Sequence, residues 1–207
     1  MIKAVIFDFG NVICSVDRTP FLNTLAKFSD KPISEIKNTI YGSDPLRYHS
    51  TLLADCESGR ISSEEFYRKI KKILNLSMAK KEFMKAHTSI FALIRTTQNL
   101  IRKLKPNYKL ALLSNCDKWV LEYNIKRLEI FDLLDAVSAS FQVKEMKPGK
   151  KIFLDALRKL KVRPEECIYI DDIKEFVDVA SQLGMHGVQY TSHKKLIDSL
   201  RKLNVKI

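Results

Sequence analysis

Long apolar runs, paired cysteines and glycine-rich stretches are all missing from this chain of 207 residues. The longest apolar segments, such as LALLS, fall far short of a membrane span. Its four cysteines, Cys14, Cys56, Cys116 and Cys167, form no C-x-x-C pair and no metal-ligand spacing. A disulfide framework and a thiolate zinc site are therefore excluded, and the thiols read as reduced and structural. Cys167 opens the apolar CIYI and is expected to be buried. Cys116 has no base near it in sequence, so a structural role is expected there too. With 6 glycines and 6 prolines, no linker, repeat or low-complexity stretch divides the chain. No secretory pattern precedes the first acidic residue, Asp8, and the expected location is the cytoplasm.

What is present is an ordinary globular composition, 45% apolar and 29% charged, with a formal net charge of +12. Such a charge raises the question of nucleic acid. However, lysine greatly outnumbers arginine, and the lysines are scattered along helix-like segments such as RKIKKIL and RKLKV. A solvated lysine-rich surface explains the charge better than a nucleic-acid interface, and it would also attract anionic substrates.

Hydrophobic periodicity divides the chain. Lys3 to Phe7 (KAVIF) is a β-branched apolar run, as expected of a strand covered on both faces. From about Pro20 to Ile90 the pattern is helical, with Phe21, Leu25 and Phe28 on one spacing and Phe66, Ile70, Ile73 and Leu74 on another. Ser62 and Glu65 resemble a capping box. After Ile94 the chain alternates. Helix TTQNLIRKLK is followed by strand KLALLS, a helix over Trp119 to Leu128, a strand over Ala136 to Ser140, and helix KKIFLDALRKL. Strand CIYID, helix VDVASQLG, strand GVQY and helix HKKLIDSLRKL complete the series. Strands alternating with amphipathic helices indicate a parallel sheet in an α/β core. A helical bundle is inserted after the first strand. The expected division is 1-15 with 92-207 for the core, and 16-91 for the insertion.

In open parallel sheets, ligands bind beyond the carboxyl ends of the strands. KAVIF ends at Asp8, KLALL at Ser114-Asn115 and CIYI at Asp171-Asp172, while Lys147 follows the third strand in KEMKPGKKIF. Each has a plain structural role available alone, since Asp, Ser and Asn commonly cap the following helix. Adjacent carboxylates at Asp171 and Asp172, close to Asp8, would instead require a cation. The set makes chemical sense as a phosphoryl-transfer site. Asp8 would attack phosphorus, magnesium on oxygen ligands would offset the repulsion, and Lys147 with Ser114-Asn115 would hold the phosphoryl oxygens.

The stretches FDFGNVI, LLSN, Lys147-Pro148 and IDD resemble motifs I to IV of the haloacid dehalogenase superfamily, in order and across the whole chain. The inserted helices are similar to that family's mobile cap. FDFGNVI, LSN and ESGRISSEEF most resemble the small sugar-phosphate phosphatases, such as the α-D-glucose-1-phosphate phosphatases. The resemblance implies a three-layer Rossmann-like core and a magnesium-dependent phosphomonoester hydrolase acting on a small phosphorylated substrate. It also implies an aspartyl-phosphate at Asp8, metal binding by Asp8, the Gly10 carbonyl and Asp172, and a supporting place for Asp171. Ser114, Asn115 and Lys147 would bind phosphate.

Two positions depart from that pattern. Most phosphatases of the superfamily carry a second Asp two residues after the nucleophile, where it protonates the leaving group; here Gly10 stands there, as in the glucose-1-phosphatase-like relatives. Phe176 occupies a position where relatives usually carry Asp or Asn, which puts metal affinity and lysine positioning in question; the adjacent Glu175 is expected to point elsewhere. Both departures leave a weakened, regulatory descendant as an alternative. A 2-haloacid dehalogenase is a further rival, disfavoured because those enzymes lack the acidic pair at Asp171-Asp172.

Other patterns lead nowhere. Asp8-Phe9-Gly10 matches a kinase triplet, but only seven residues precede it, too few for a glycine-rich loop, strand lysine and catalytic loop. ADCESGRISSEEF echoes the back half of a calcium loop, yet Ala54, Cys56 and Ser58 occupy the first ligand positions. Within that stretch Glu57 and Arg60 are candidates to face substrate. Four histidines (His49, His87, His186, His193) show no ligand or base–nucleophile spacing. Arg47, Tyr48 and His49 are further candidates to read the leaving group, though surface roles are commoner for such residues.

Overall fold

The computed structural model describes residues 1–43 and 51–207. Arg47, Tyr48 and His49 lie outside them. Five parallel strands form the central sheet: β1 (Ala4–Phe7), β4 (Lys109–Ser114), β5 (Ala136–Ala139), β6 (Cys167–Asp171) and β7 (His186–Gln189). Their order is β5-β4-β1-β6-β7, with β1 between β4 and β6. The chain runs outward from β1 to β5, then returns across it to β6. The crevice opens at that reversal, beside β1.

Alternation along β1 explains the three layers. Val5 and Phe7 face one apolar cluster, into which α6 (Arg95–Leu104) and α11 (His193–Lys202) send Leu100, Ile101, Leu196 and Leu200. Ala4 and Ile6 face the other, filled by Ile152, Phe153 and Ala156 of α9 (Lys150–Leu160) and by Phe176 and Ala180 of α10 (Lys174–Gln182). Every β1 residue is fully buried, which is why KAVIF reads as one apolar run.

Five helices follow the first strands: α1 (Thr19–Ala26), α2 (Ile33–Tyr41), α3 (Leu52–Glu57), α4 (Ser63–Ile73) and α5 (Lys80–Thr88). They bury their own cluster around Phe21, Ile36, Phe66, Ile70 and Phe83. Trp119, from α7 (Lys118–Tyr123), joins it across the seam. Ser62 caps α4, its hydroxyl accepting from Glu65 N at 3.1 Å. Gly59 turns the chain from α3 towards α4 at φ 70°, where a Cβ would collide with the Phe141 carbonyl.

Two expectations need correcting, and one strand pair adds to the sequence reading. Two short strands, β2 (Cys14–Val16) and β3 (Phe91–Leu93), pair antiparallel where the chain enters and leaves the helical insertion. At three residues each, they are too short to show a period. The helix expected to reach Leu128 ends at Tyr123, where the capping Asn124 donates to the Thr88 carbonyl at 2.8 Å. A single 3-10 turn, Ile125–Arg127, follows. Ile73 is 48% exposed rather than sharing the buried face of Phe66 and Ile70. No helix among the described residues is long and apolar enough to cross a membrane.

Ile6→Ala is expected to cost about 2–5 kcal/mol in urea unfolding, because the β1 face cannot collapse around the gap. Ile73→Ala should stay within about 0.5 kcal/mol. A large loss at Ile73 would contradict its outward placement.

Candidate active site

Three neighbouring strands end at the same level and carry the residues that the sequence singles out. Asp8 follows β1, its amide donating to the Ile170 carbonyl at 2.9 Å. Ser114 closes β4, and Asp171 closes β6, followed at once by Asp172. Lys147 arrives from the far side of β4, on the loop between β5 and α9. That loop is held to the β4 end by a reciprocal pair: Lys147 N donates to Asn115 Oδ1 at 2.8 Å, and Asn115 Nδ2 donates to the Lys147 carbonyl at 3.2 Å.

The Lys147 ammonium is 1% exposed and bridges two carboxylates, donating to Asp8 Oδ1 at 2.8 Å and to Asp171 Oδ2 at 2.7 Å. Asp171 also accepts from the Tyr169 hydroxyl and from Ile173 N, the latter at 2.9 Å. Asp172 accepts from Asn11 Nδ2 at 3.1 Å. Burial pushes the Asp8 carboxyl up to about 7; Asp171 adds to the shift and Lys147 opposes it. Burial also disfavours charge on Lys147, but Asp8 and Asp171 outweigh it and hold the ammonium above its ordinary range. Burial raises Asp172 as well.

Asp8, Asp171 and Asp172 each offer a carboxylate oxygen, and the three oxygens lie within 4.8 Å of one another. Fully ionised, three carboxylates face one ammonium, so a buried negative excess remains. An all-oxygen donor set with that excess suits a hard divalent cation such as magnesium. Gly10 lies beside them on the cavity wall.

A cavity of about 670 Å³ opens over this cluster. Asp8, Gly10, Ser114, Asn115, Lys147 and Asp172 form its floor, while Arg18, Lys37, Tyr41, Glu57 and His87 reach it from the inserted helices. Phe176 does not loosen the lysine, as its identity suggested it would. Its ring centre sits 5.0 Å from the Lys147 ammonium, within reach of a cation–π contact. Glu175, expected to point elsewhere, lines the cavity. All four cysteines are free and buried, and burial holds the Cys116 thiol well above its ordinary range, so it is no nucleophile.

One pair escaped the sequence reading. His87, near the end of α5, points Nε2 at Asp117 Oδ2, 2.7 Å away, across the seam between the helical insertion and the sheet domain. The other Asp117 oxygen accepts from Ser63 Oγ at 2.9 Å and from Trp119 N at 2.7 Å. Thirty positions separate the two residues, so no local spacing links them; the only available signal was an acid three residues beyond Ser114.

The geometry joins what the profile of the haloacid dehalogenase-like hydrolases matches over residues 5–189. The chain belongs to this family. Among its relatives, the D-ribitol-5-phosphate phosphatase of Bacteroides thetaiotaomicron is 24% identical over 197 residues, covering 91% of this chain and 92% of the relative. A HAD-like family hydrolase from Porphyromonas gingivalis superposes with a TM-score of 0.82 at 27% identity, covering 100% of both chains. A B. thetaiotaomicron HAD-family enzyme solved with magnesium and inorganic phosphate shares the fold, with a TM-score of 0.76 at 21% identity over 94% of this chain and 99% of the other. The chain is accordingly a haloacid dehalogenase-like hydrolase, and phosphatases are among its relatives.

Lys147→Met should cost about 3–5 kcal/mol at neutral pH, because it strands two carboxylates without their counter-charge. Without the ammonium that opposes them, burial and the Asp171 charge hold the Asp8 carboxyl still further above its unfolded value. The folded state then binds more protons, and stability recovers as pH falls. Urea unfolding at about pH 5 and about pH 8 checks this; an equal deficit at both would count against it.

Proposed function

We propose that this HAD-like hydrolase cleaves phosphomonoesters of small metabolites, sugar or polyol phosphates foremost, through a phosphoryl group carried on Asp8 and with magnesium as cofactor. The observation that carries this reading is the single ammonium of Lys147 shared by Asp8 and Asp171 at the strand ends. It orients a carboxylate for attack beside three further phosphoryl-oxygen donors: the Ser114 hydroxyl, the Asn115 side chain and the neighbouring backbone amides. The similarity to a ribitol-phosphate phosphatase supports a polyhydroxylated leaving group.

In this reading Asp8 attacks phosphorus in line with the ester oxygen. Ser114, Asn115 and Lys147 hold the three remaining oxygens and gain strength as charge builds on them. Asp171 keeps Lys147 aimed, and Asn11 keeps Asp172 oriented. Magnesium, held by Asp8, Asp172 and the Gly10 carbonyl with Asp171 behind them, supplies the charge neutralisation that lets an anionic nucleophile approach an anionic ester. Residues 16–91 act as a cap that excludes water during transfer, and 1–15 with 92–207 act as the catalytic core. The packing of Phe176 on Lys147 argues against a weakened descendant, because the aromatic ring lies against the lysine that a simple loss of polarity would free.

Asp8→Asn is expected to lower turnover of p-nitrophenyl phosphate by about 10⁴-fold or more. Chelation should abolish wild-type turnover, and added magnesium should restore it. An active Asp8→Asn enzyme would sink the nucleophile assignment, and full activity in chelator would sink the metal. Halide release from 2-chloropropionate would favour the dehalogenase rival instead.

A further inference from the structure

Gly10 leaves the departing oxygen without the carboxylic acid that most phosphatases of the superfamily place there. The remaining donors around the cavity can be compared. Lys147 is held by two carboxylates. Tyr41 is pushed up to about 12 by burial, and Cys116 well above its ordinary range. Arg18, Lys37 and Glu175 sit exposed on the rim, while Glu57 is half-buried and as a carboxylate accepts rather than donates. His87 differs from all of these. It is 4% exposed, it forms part of the wall shared with Asp8, and histidine ordinarily gives up its proton near neutral pH.

Its hydrogen bonding is half complete. Nε2 faces Asp117, which Ser63 and Trp119 N hold in place. Nδ1 is buried and has no hydrogen-bond partner among the described residues. An unpaired buried N–H is costly, and an oxygen that reached Nδ1 would relieve that cost. The ring is fixed edge-on against Phe21, at 5.5 Å between centroids, so it cannot readily turn away. Among the described residues, the charged groups that act on it favour the protonated form. Asp117 acts on it from the start of α7 and Glu57 from α3. Burial opposes the charge, but Asp117, first by its charge and then by its hydrogen bond, together with Glu57 outweighs it and raises His87 above its usual 6.5.

We propose that His87, positioned by Asp117, is the catalytic residue that protonates the leaving group, taking over from the inserted helices the task for which Gly10 has no side chain. The inference rests on the phosphatase reading above. As an Asp8 oxygen bonds to phosphorus and the ester P–O bond breaks, the proton on Nδ1 passes to the departing oxygen. The imidazole is left neutral, keeping its Nε2–H, which donates to Asp117. Water then attacks the phosphoryl group on Asp8. One water proton returns to Nδ1, the hydroxyl stays on phosphorus, and the Asp8 carboxylate is released with inorganic phosphate.

The test is a series of substituted phenyl phosphates, from nitrophenyl, which departs without a proton, to phenyl and methoxyphenyl, which need one. His87→Gln keeps a donor towards Asp117 and removes the titrating nitrogen. It should lose about 100-fold in kcat on phenyl phosphate and under about 10-fold on nitrophenyl phosphate. An equal loss across the series would overturn the proposal. Asp117→Asn removes the charge that holds the proton on His87, so the basic limb of the phenyl phosphate pH profile should move to lower pH; an unmoved limb would overturn it. Wild-type enzyme offers a reading that needs no variant to fold. Its basic limb should be deep with methoxyphenyl phosphate and shallow with nitrophenyl phosphate, and limbs of equal depth would overturn the assignment. Asp8→Asn separates the two readings. If it is inactive while His87→Gln shows no leaving-group dependence, the phosphatase stands and the role of His87 falls.

Discussion

A buried lysine needs a reason, because an ammonium removed from water loses most of its hydration and must be repaid by charges placed around it. Lys147 is surrounded on all the sides that matter: Asp8 and Asp171 accept its protons, Phe176 covers it with a ring face, and Asn115 holds its backbone. The cation therefore joins the ends of β1 and β6 to the loop after β5. The rest of the site depends on this junction. If the ammonium moved, Asp8 would lose its orientation and two carboxylates would be left to repel each other in a medium that screens poorly.

The fold makes the junction possible through strand order. β1 lies in the middle of the sheet, and the chain crosses over it to begin β6, so three strand ends converge on the crevice. Apolar side chains on both faces of β1 leave no room for water beneath Asp8, and this burial is the largest influence on its carboxyl. The same low-dielectric floor makes the acidic cluster a good host for a divalent cation. The carboxylates are few, close and poorly hydrated, and a small hard ion offers them more than water does.

Much of this was legible in the sequence for physical reasons. KAVIF and CIYID are apolar throughout because both sheet faces are covered, and an acid ending such a run must lie at a strand end. Four strand-end signals in order therefore located the cluster of Asp8, Ser114, Asn115, Lys147, Asp171 and Asp172. What stayed hidden depended on packing between distant segments. Phe176 looked like a loss of polarity, and only its position over Lys147 shows that a ring can support a cation. β2 and β3 are three residues long and earn their strand geometry from each other rather than from any local period. His87 and Asp117 carry no spacing signal, since one comes from the inserted helices and the other from the core.

That last pair also links the chemistry to the closing of the cavity. Asp117 holds Ser63 and His87 on one side and Trp119 N on the other, while Ser140 and Lys144 reach across to the Glu57 and Gly59 carbonyls at 2.5 and 2.7 Å. The neutral bonds of this seam are indifferent to pH, but the His87–Asp117 contact is not. His87 titrates higher when folded than when unfolded, so its contribution is complete below about 6.5 and is lost as pH rises through the raised folded value. A buried ion pair is seldom the most stabilising way to fill such a space; apolar side chains of similar size often do as well or better. Its placement in the wall above Asp8 gives it a use that apolar packing could not supply. The imidazolium that fastens the inserted helices to the sheet domain through Nε2 carries on Nδ1 the proton that a departing alkoxide would take, so the closed, protonated arrangement is also the one ready to react.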